Sequence, residues 1–198
     1  DNIYSPDISY RIGVAHYMME NYRDAAMQLV DFVSTYTNHP SIWEARNLRG
    51  DALAAMGQLD IALNAYEQVS PESGPYYHYA VAQRGKCLKA LKDYTNMVAL
   101  YETYIDNVAD SPSVVEGVYW LGWAHRRLEN LPAAREAYWS AITRYGNNRD
   151  WAGFDGIVTD LGSLYSGSNG VTELLLRLDE ERQAARSRGK LTLASRID

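Results

Sequence analysis

The sequence of 198 residues predicts an all-α fold in which pairs of antiparallel helices stack into an array. Three observations support this prediction: glycines recur at a nearly constant spacing, a helical apolar pattern surrounds each of them, and proline or glycine follows each unit. Gly13, Gly50, Gly85 and Gly122 lie 37, 35 and 37 residues apart. Four matches in register indicate an internal repeat of one supersecondary unit.

Each unit is predicted to contain two helices, the first carrying the glycine and the second carrying a small residue and then a bulky one. The four units span residues 7–40, 41–75, 76–112 and 113–146. The small and bulky residues stand twelve and sixteen positions after each glycine: Ala25 and Leu29, Ala62 and Tyr66, Met97 and Tyr101, Ala134 and Tyr138. The units end near Pro40, Pro71 and Pro75, Pro112, and Gly146.

Gly122 shows why a glycine is needed in the first helix. It stands near Trp120 and Trp123, inside an apolar pattern that continues to Leu128. Glycine costs about 1 kcal/mol relative to alanine in a helix interior, whereas overpacking a close crossing costs about 1–3 kcal/mol. We therefore expect the two helices of a pair to cross closely here, with the glycine facing the alanine of the second helix.

Turn and cap residues fit the same helix pairs. Asn130 is predicted to cap the second helix of the fourth unit, with Pro132 in its first turn. Asp93 is predicted to cap the corresponding helix of the third unit, and Gly57 to end the first helix of the second unit.

Residues 147–198 are predicted to form an atypical fifth helix pair. Its two helices are read from "WAGFDGIVTDLGSLY" and "GVTELLLRLDEERQAARSRG", separated by the breaker run "SGSNG" at 166–170. The final "LTLASRID" is predicted to begin a further helix. Because Leu191, Leu193 and Ile197 do not form the polar cap that an array needs, we expect a fragment of a longer repeat protein.

The repeat resembles the tetratricopeptide repeat, which has a small residue late in its first helix, alanine in its second, and then an aromatic residue and a proline. The resemblance covers residues 7–146, with Met97 in place of the alanine in the third unit. It implies a right-handed superhelix that binds a protein or peptide partner. "DFVSTYTNHPS" and "TYIDNVADSPS" further resemble bacterial envelope members of the family, such as outer-membrane assembly lipoproteins and Tol–Pal coordinators. That likeness implies a periplasmic location.

Composition argues against several other functions. The net charge of −6 and the pI of about 5.2 argue against a nucleic-acid partner. One cysteine, Cys87, permits neither an intrachain disulfide nor a cysteine-based zinc site. The apolar stretches are too short for direct membrane insertion. We expect no catalytic residue, metal or cofactor, because His16 and His125 occupy a packing position and no catalytic motif is present.

The predicted partner-binding groove is lined by the first helices of successive units. The positions three before, one after and four after each glycine are expected to face it. Together with Tyr79, one turn earlier in the third unit, they give the candidate residues Tyr10, Tyr17, Asn47, Asp51, Tyr79, Lys86, Lys89, Tyr119, Trp123 and Arg126. Tyrosine, tryptophan and arginine dominate binding energies at interfaces. The other interpretation of the aromatic residues is packing between units.

Two other classes of protein remain open at this point. An enzyme built as an α/α toroid would require longer helix pairs than a period of 35–37 residues provides. The chain could instead be a structural spacer, or a module that self-associates through its groove or its exposed end.

Overall fold

The computed structural model of the chain describes residues 5–108, 113–147, 153–165 and 167–197. These residues contain eleven α-helices and no β-strand, which confirms the predicted all-α fold. The helices are α1 Pro6–Met18, α2 Tyr22–Thr35, α3 Ile42–Ala55, α4 Leu59–Glu67, α5 Pro75–Leu91, α6 Tyr94–Asn107, α7 Val114–Arg127, α8 Leu131–Tyr145, α9 Phe154–Ser163, α10 Gly167–Ser187 and α11 Leu191–Ile197. The predicted unit end at Pro112, the start of the fifth pair at Trp151 and the final Asp198 lie outside the described residues.

The first helix of each of the four pairs ends in the same way. The residue seven positions after the repeat glycine has a positive φ: 62° at Glu20, 74° at Gly57, 59° at Lys92 and 59° at Glu129. The next backbone N–H then donates back to a carbonyl in the last turn, at 2.9 Å in all four cases. This left-handed ending turns the chain into the second helix. Only the second pair places a glycine there, as predicted.

The cap predictions are confirmed at two further positions. The Asn130 side chain accepts a hydrogen bond from the N–H of Ala133 at the start of α8, with Pro132 in the first turn. Asp93 accepts one from the N–H of Asn96 at 3.1 Å, at the start of α6.

The chain forms two compact units, residues 1–96 and 97–198. In the first unit, α1 to α5 pack as successive antiparallel neighbours around a core that includes Leu29, Phe32 and Tyr66. In the second, α7 and α8 form a pair whose core continues into α9, α10 and α11 through Trp139, Phe154 and other buried residues.

Three of the repeat glycines, Gly13, Gly50 and Gly122, lie at close helix crossings, but the residue that they face differs from the prediction. A Cβ atom added to Gly13 would lie 2.7 Å from Cδ2 of Leu29, and one added to Gly122 would lie 2.5 Å from Cε1 of Tyr138. Gly50 faces the ring of Tyr66 in the same way. The glycine thus makes room for the bulky residue sixteen positions on, rather than for the alanine twelve positions on.

The fifth pair also departs from the sequence prediction. Residues 167–170 of the predicted breaker run begin α10 instead, and α9 ends at Ser163. Ser166 lies outside the described residues. The last segment forms α11 as predicted, with Leu193 buried. Its start is anchored by a hydrogen bond from Nζ of Lys190 to the carbonyl of Thr143, at 3.0 Å.

Candidate functional site

A hydrogen-bonded cluster centred on Asp51 lies on the first-helix face of the first unit. The Tyr66 hydroxyl donates to Oδ1 of Asp51 at 2.7 Å, and the Tyr79 hydroxyl donates to Oδ2 at 2.9 Å. Burial raises the pKa of the Asp51 carboxyl, while the two tyrosines and the positive charge of Lys86 partly oppose that rise. Tyr79 remains 42% exposed. The carboxylate and the Tyr79 ring are therefore held in place at a surface that a partner can reach.

Two tyrosines of α1 extend this face. Tyr17 is half-buried and packs edge-on against Tyr22, with ring centroids 5.6 Å apart. Burial raises its pKa, and the negative charge of Asp51 adds to that rise. The ring of Tyr10 lies 5.5 Å from that of Phe32 and its hydroxyl bonds to Glu44, so Tyr10 is tied to the core as much as to the surface.

Asn47 does not line an open groove, contrary to the sequence prediction. It is 5% exposed, and its side-chain amide donates to the carbonyl of Tyr76 at 3.0 Å. The physical reason is that α3 and α5 are neighbours, so Asn47 links α3 to the first turn of α5. Lys86 and Lys89, by contrast, are exposed. Between them Cys87 is buried, and burial raises the pKa of its thiol.

The first-helix face of the second unit carries a row of aromatic rings on α7. The ring centroids of Tyr119 and Trp120 are 5.2 Å apart, and those of Trp120 and Trp123 are 5.7 Å apart. Both pairs have edge-to-face geometry. The guanidinium carbon of Arg127 lies 5.7 Å from the centre of the Trp123 ring. The groove candidates Tyr119 and Trp123 thus belong to one row in which Trp120 contacts both rings.

Arg126, predicted to face the groove, pairs with an acidic side chain. Its guanidinium lies 3.4 Å from Oδ1 of Asp160 on α9. The Tyr119 hydroxyl faces the same carboxylate, and burial together with Asp160 raises the pKa of Tyr119. Asp160 therefore gives Arg126 an acidic partner on α9.

An open cleft of about 420 Å³ lies beside Tyr119, between the first halves of α7 and α9. It is lined by Ser113, Val115, Glu116, Tyr119, Gly153, Gly156 and Ile157. Its volume falls within the range of small ligand pockets.

Neither a metal centre nor a membrane span is found in the part of the chain that the structure describes. No group of three or more histidine, cysteine, aspartate or glutamate side chains there is arranged to hold a metal ion. None of the described helices combines the length and hydropathy that crossing a bilayer requires. His125 is half-buried, and burial lowers its pKa although the charge of Glu102 acts in the opposite direction.

Comparison with protein families agrees with the repeat. The tetratricopeptide repeat model matches residues 10–78 and 79–149, more than half of the chain. The chain belongs to the tetratricopeptide repeat family. A search of the curated proteins found no match. The resemblance to the family predicted from the sequence is confirmed, while the envelope subtype stays a prediction.

Solved structures of similar fold place this tetratricopeptide repeat chain among helical solenoids. MamA from Desulfovibrio magneticus RS-1, from its residue 41 to the end, shares 19% identity with a TM-score of 0.56, covering 96% of this chain and 95% of that one. Nearly identical TPR-like repeats from Podosopora anserina share 16% identity with a TM-score of 0.58, covering 98% and 97%. BtubC from P. vanneervenii shares 14% identity with a TM-score of 0.59, covering 92% and 77%. At these identities the likeness shows the fold alone.

Sequence reasoning missed three residues of this tetratricopeptide repeat surface. Trp120 lies three residues before Trp123, a spacing that places the two rings side by side on a helix. Tyr66 had been assigned to the core alone, although its hydroxyl reaches Asp51. Asp160 lies in the fifth pair, where no repeat register indicates which residues face α7.

Proposed function

We propose that this chain is a non-enzymatic scaffold that binds a partner protein through the first-helix faces of its repeats. The tetratricopeptide repeat fold is typical of protein–protein interaction scaffolds. The proposal adds the surface that is used and the residues that carry it: Tyr17, Asp51 and Tyr79 in the first unit, and Tyr119 and Trp123 in the second.

One observation carries the proposal: the polar and aromatic side chains of these faces are held by contacts within the chain but remain partly exposed to solvent. Tyr79 donates to Asp51 while 42% of its surface stays exposed. The Tyr119 ring lies 6.2 Å from the buried ring of Tyr138, and Trp123 packs edge-on against Trp120 while remaining half-buried. Side chains that are fixed before binding lose little conformational entropy when a partner arrives. Large rings at such positions are the usual hot spots.

The same surface gives no support to an enzyme. The half-buried Asp51 carboxylate accepts hydrogen bonds from two tyrosine hydroxyls. The pKa values of both tyrosines are raised, so neither phenol is prepared to act as a base near neutral pH. The pKa of Cys87 is raised as well, which removes the activated thiolate that a cysteine nucleophile requires.

The test compares three variants for binding to a partner recovered by affinity capture from cells of the source organism. Trp123→Ala should weaken binding about thirty-fold, because truncating a hot spot costs about 2 kcal/mol or more. Leu131→Ala is the matched control, since Leu131 is 40% exposed on a second helix. Tyr138→Ala should lower the melting temperature, because this ring is fully buried. If Trp123→Ala binds normally but unfolds early, Trp123 is a packing residue and the proposed surface is wrong.

Self-association is a second candidate function, favoured by an apolar row on α10. Val171, Leu175 and Leu176 are 49%, 60% and 62% exposed. Apolar side chains in such a row commonly mark an interface. If this candidate holds, the mass measured by light scattering rises with protein concentration, and Leu175→Glu abolishes that rise. A constant mass in the wild type dismisses it.

We also propose a periplasmic location, which rests on the likeness of two segments to bacterial envelope repeats. Osmotic-shock fractionation of the source cells tests it, with a cytoplasmic enzyme as the marker for leakage. Recovery of the chain with that marker contradicts the proposal.

A further inference from the structure

We infer that the cleft between α7 and α9 binds one large apolar side chain of the partner, next to a lysine or arginine of the same segment. This inference rests on the proposed function and specifies the partner's chemistry at one place on the surface. All residues that line the cleft belong to the second compact unit.

The cleft is built to accept an apolar group. Val115 and Ile157 line it, and both are held in the core, with 8% and 1% of their surface exposed. The half-buried Tyr119 also lines it, and its ring packs against those of Trp120 and Tyr138, with centroids 5.2 and 6.2 Å away. The surroundings of an incoming side chain are thus largely apolar and fixed, and burying it there releases roughly 25 cal/mol per Å² of apolar surface.

Gly156 contributes to the cleft by having no side chain. It is exposed inside α9, where glycine is the least favourable residue after proline. Its φ is not positive, and a Cβ atom added there would meet no described atom within 4 Å. Neither close packing nor backbone conformation therefore calls for glycine, in contrast to Gly122. What the missing side chain provides is space in the cleft.

The charges around the cleft favour a basic neighbour for the apolar side chain. Glu116 lines the cleft and is exposed, and Asp155 adds a second exposed carboxylate in the first turn of α9. No lysine or arginine is among the described residues that line the cleft. Arg126, on the same helix as Tyr119, is paired with Asp160. Among the described lining residues, a lysine or arginine beside the apolar anchor would meet Glu116 and no positive charge.

The experiment uses the full chain and a phage-displayed library of random dodecapeptides as the probe. Peptides enriched on the wild type are synthesised, and their affinities are measured by fluorescence polarisation. We expect them to share a leucine, isoleucine, methionine or aromatic residue next to lysine or arginine. Gly156→Leu, which fills the cleft, should lower the peptide affinities at least tenfold. Its melting temperature should equal or exceed that of the wild type. Glu116→Gln should lower the affinities less than Gly156→Leu does, and its effect should be greater at low salt than at high salt.

Gly162→Leu is the matched control. It replaces a second glycine of α9 whose added Cβ also meets no described atom within 4 Å, but this glycine does not line the cleft. It should leave peptide affinity unchanged. An equal loss of affinity in both variants would mean that α9 itself is perturbed, and the inference would fall.

Other outcomes separate this inference from the proposed function. If enriched peptides bind Gly156→Leu as well as the wild type but lose affinity for Trp123→Ala, the groove binds a partner and the cleft assignment is wrong. If the enriched peptides are acidic, or if Gly156→Leu unfolds at a lower temperature, the stated occupant is also wrong. If no peptide is enriched, both proposals lose their support.

Discussion

Gly122→Ala probes the close crossing of α7 and α8 with the smallest possible change. The added Cβ atom would lie 2.5, 2.8 and 2.9 Å from three carbon atoms of the Tyr138 ring. Tyr138 is fully buried, and its neighbour Trp139 is 1% exposed. The ring cannot swing into solvent, so the helices must separate or the ring must leave its favoured rotamer.

Two opposing contributions set the expected size of the effect. Alanine in place of glycine stabilises a helix interior by about 0.8–1.0 kcal/mol. Overpacking a well-packed core destabilises it by about 1–3 kcal/mol. Because all three distances lie well below van der Waals contact, we expect the upper part of that range. The free energy of unfolding should then fall by about 1–2 kcal/mol.

The assay is urea denaturation followed by circular dichroism, carried out as a double-mutant cycle with Tyr138→Ala. Removing the ring takes away the atoms that the new Cβ would overlap. In that background Gly122→Ala should therefore become stabilising by up to about 1 kcal/mol. The two substitutions should thus be strongly coupled, since their side chains are in direct contact.

A simple result would refute this reasoning. If Gly122→Ala stabilises the wild-type protein as much as it stabilises Tyr138→Ala, no overpacking occurs and the crossing is looser than its geometry implies. Gly162→Ala provides the baseline, because its added Cβ meets no described atom within 4 Å.

Three further predictions concern single side chains. Tyr66→Phe should destabilise the chain by about 1.5 kcal/mol in the same urea assay, because it removes the hydrogen bond to the partly solvated Asp51. Tyr138→Phe should be neutral or stabilising, because the buried Tyr138 hydroxyl has no partner among the described residues. His125 has its ordinary pKa of about 6.5 in the unfolded chain, whereas burial lowers its pKa in the folded chain. The free energy of unfolding should therefore fall as the pH falls below about 6.5, because the unfolded chain then binds the proton more readily. His125→Leu should flatten that pH profile. Glu129→Gly should raise the melting temperature, because it relieves the left-handed φ of 59° at the end of α7.

The fold was predictable because the repeat depends on residue size at fixed spacing. A glycine in one helix and a bulky residue in the next leave a pattern that survives changes in the remaining residues. The error about which residue faces Gly122 has a physical cause. Spacing shows that a small residue is needed but does not distinguish between Ala134 and Tyr138 on adjacent turns of α8. Because these two residues share one face of α8, the point along the helix axis at which α7 crosses decides between them.

The surface could be predicted only where the repeat register continues. Tyr79 and Trp123 lie on the first helices, where the register assigned them. The pairing of Arg126 with Asp160 could not be foreseen, because α9 lies beyond the fourth repeat. The burial of Asn47 was missed for another reason. Its amide donates to the backbone carbonyl of Tyr76. Every residue has a backbone carbonyl, so the sequence does not indicate which one accepts this bond.

The glycines inside α1, α7 and α9 fall into two physical classes, and the division separates stability from function. At Gly13, Gly117 and Gly122 an added Cβ would overlap a neighbouring side chain at 2.5–2.7 Å, so the side chain is absent because the core has no room for it. At Gly156 and Gly162 an added Cβ would enter open space. Selection for stability alone would replace such glycines within a helix, since alanine is better there by up to about 1 kcal/mol. Only Gly156 of these two lines a cleft, so substitutions at Gly156 are the ones that should change binding without lowering stability.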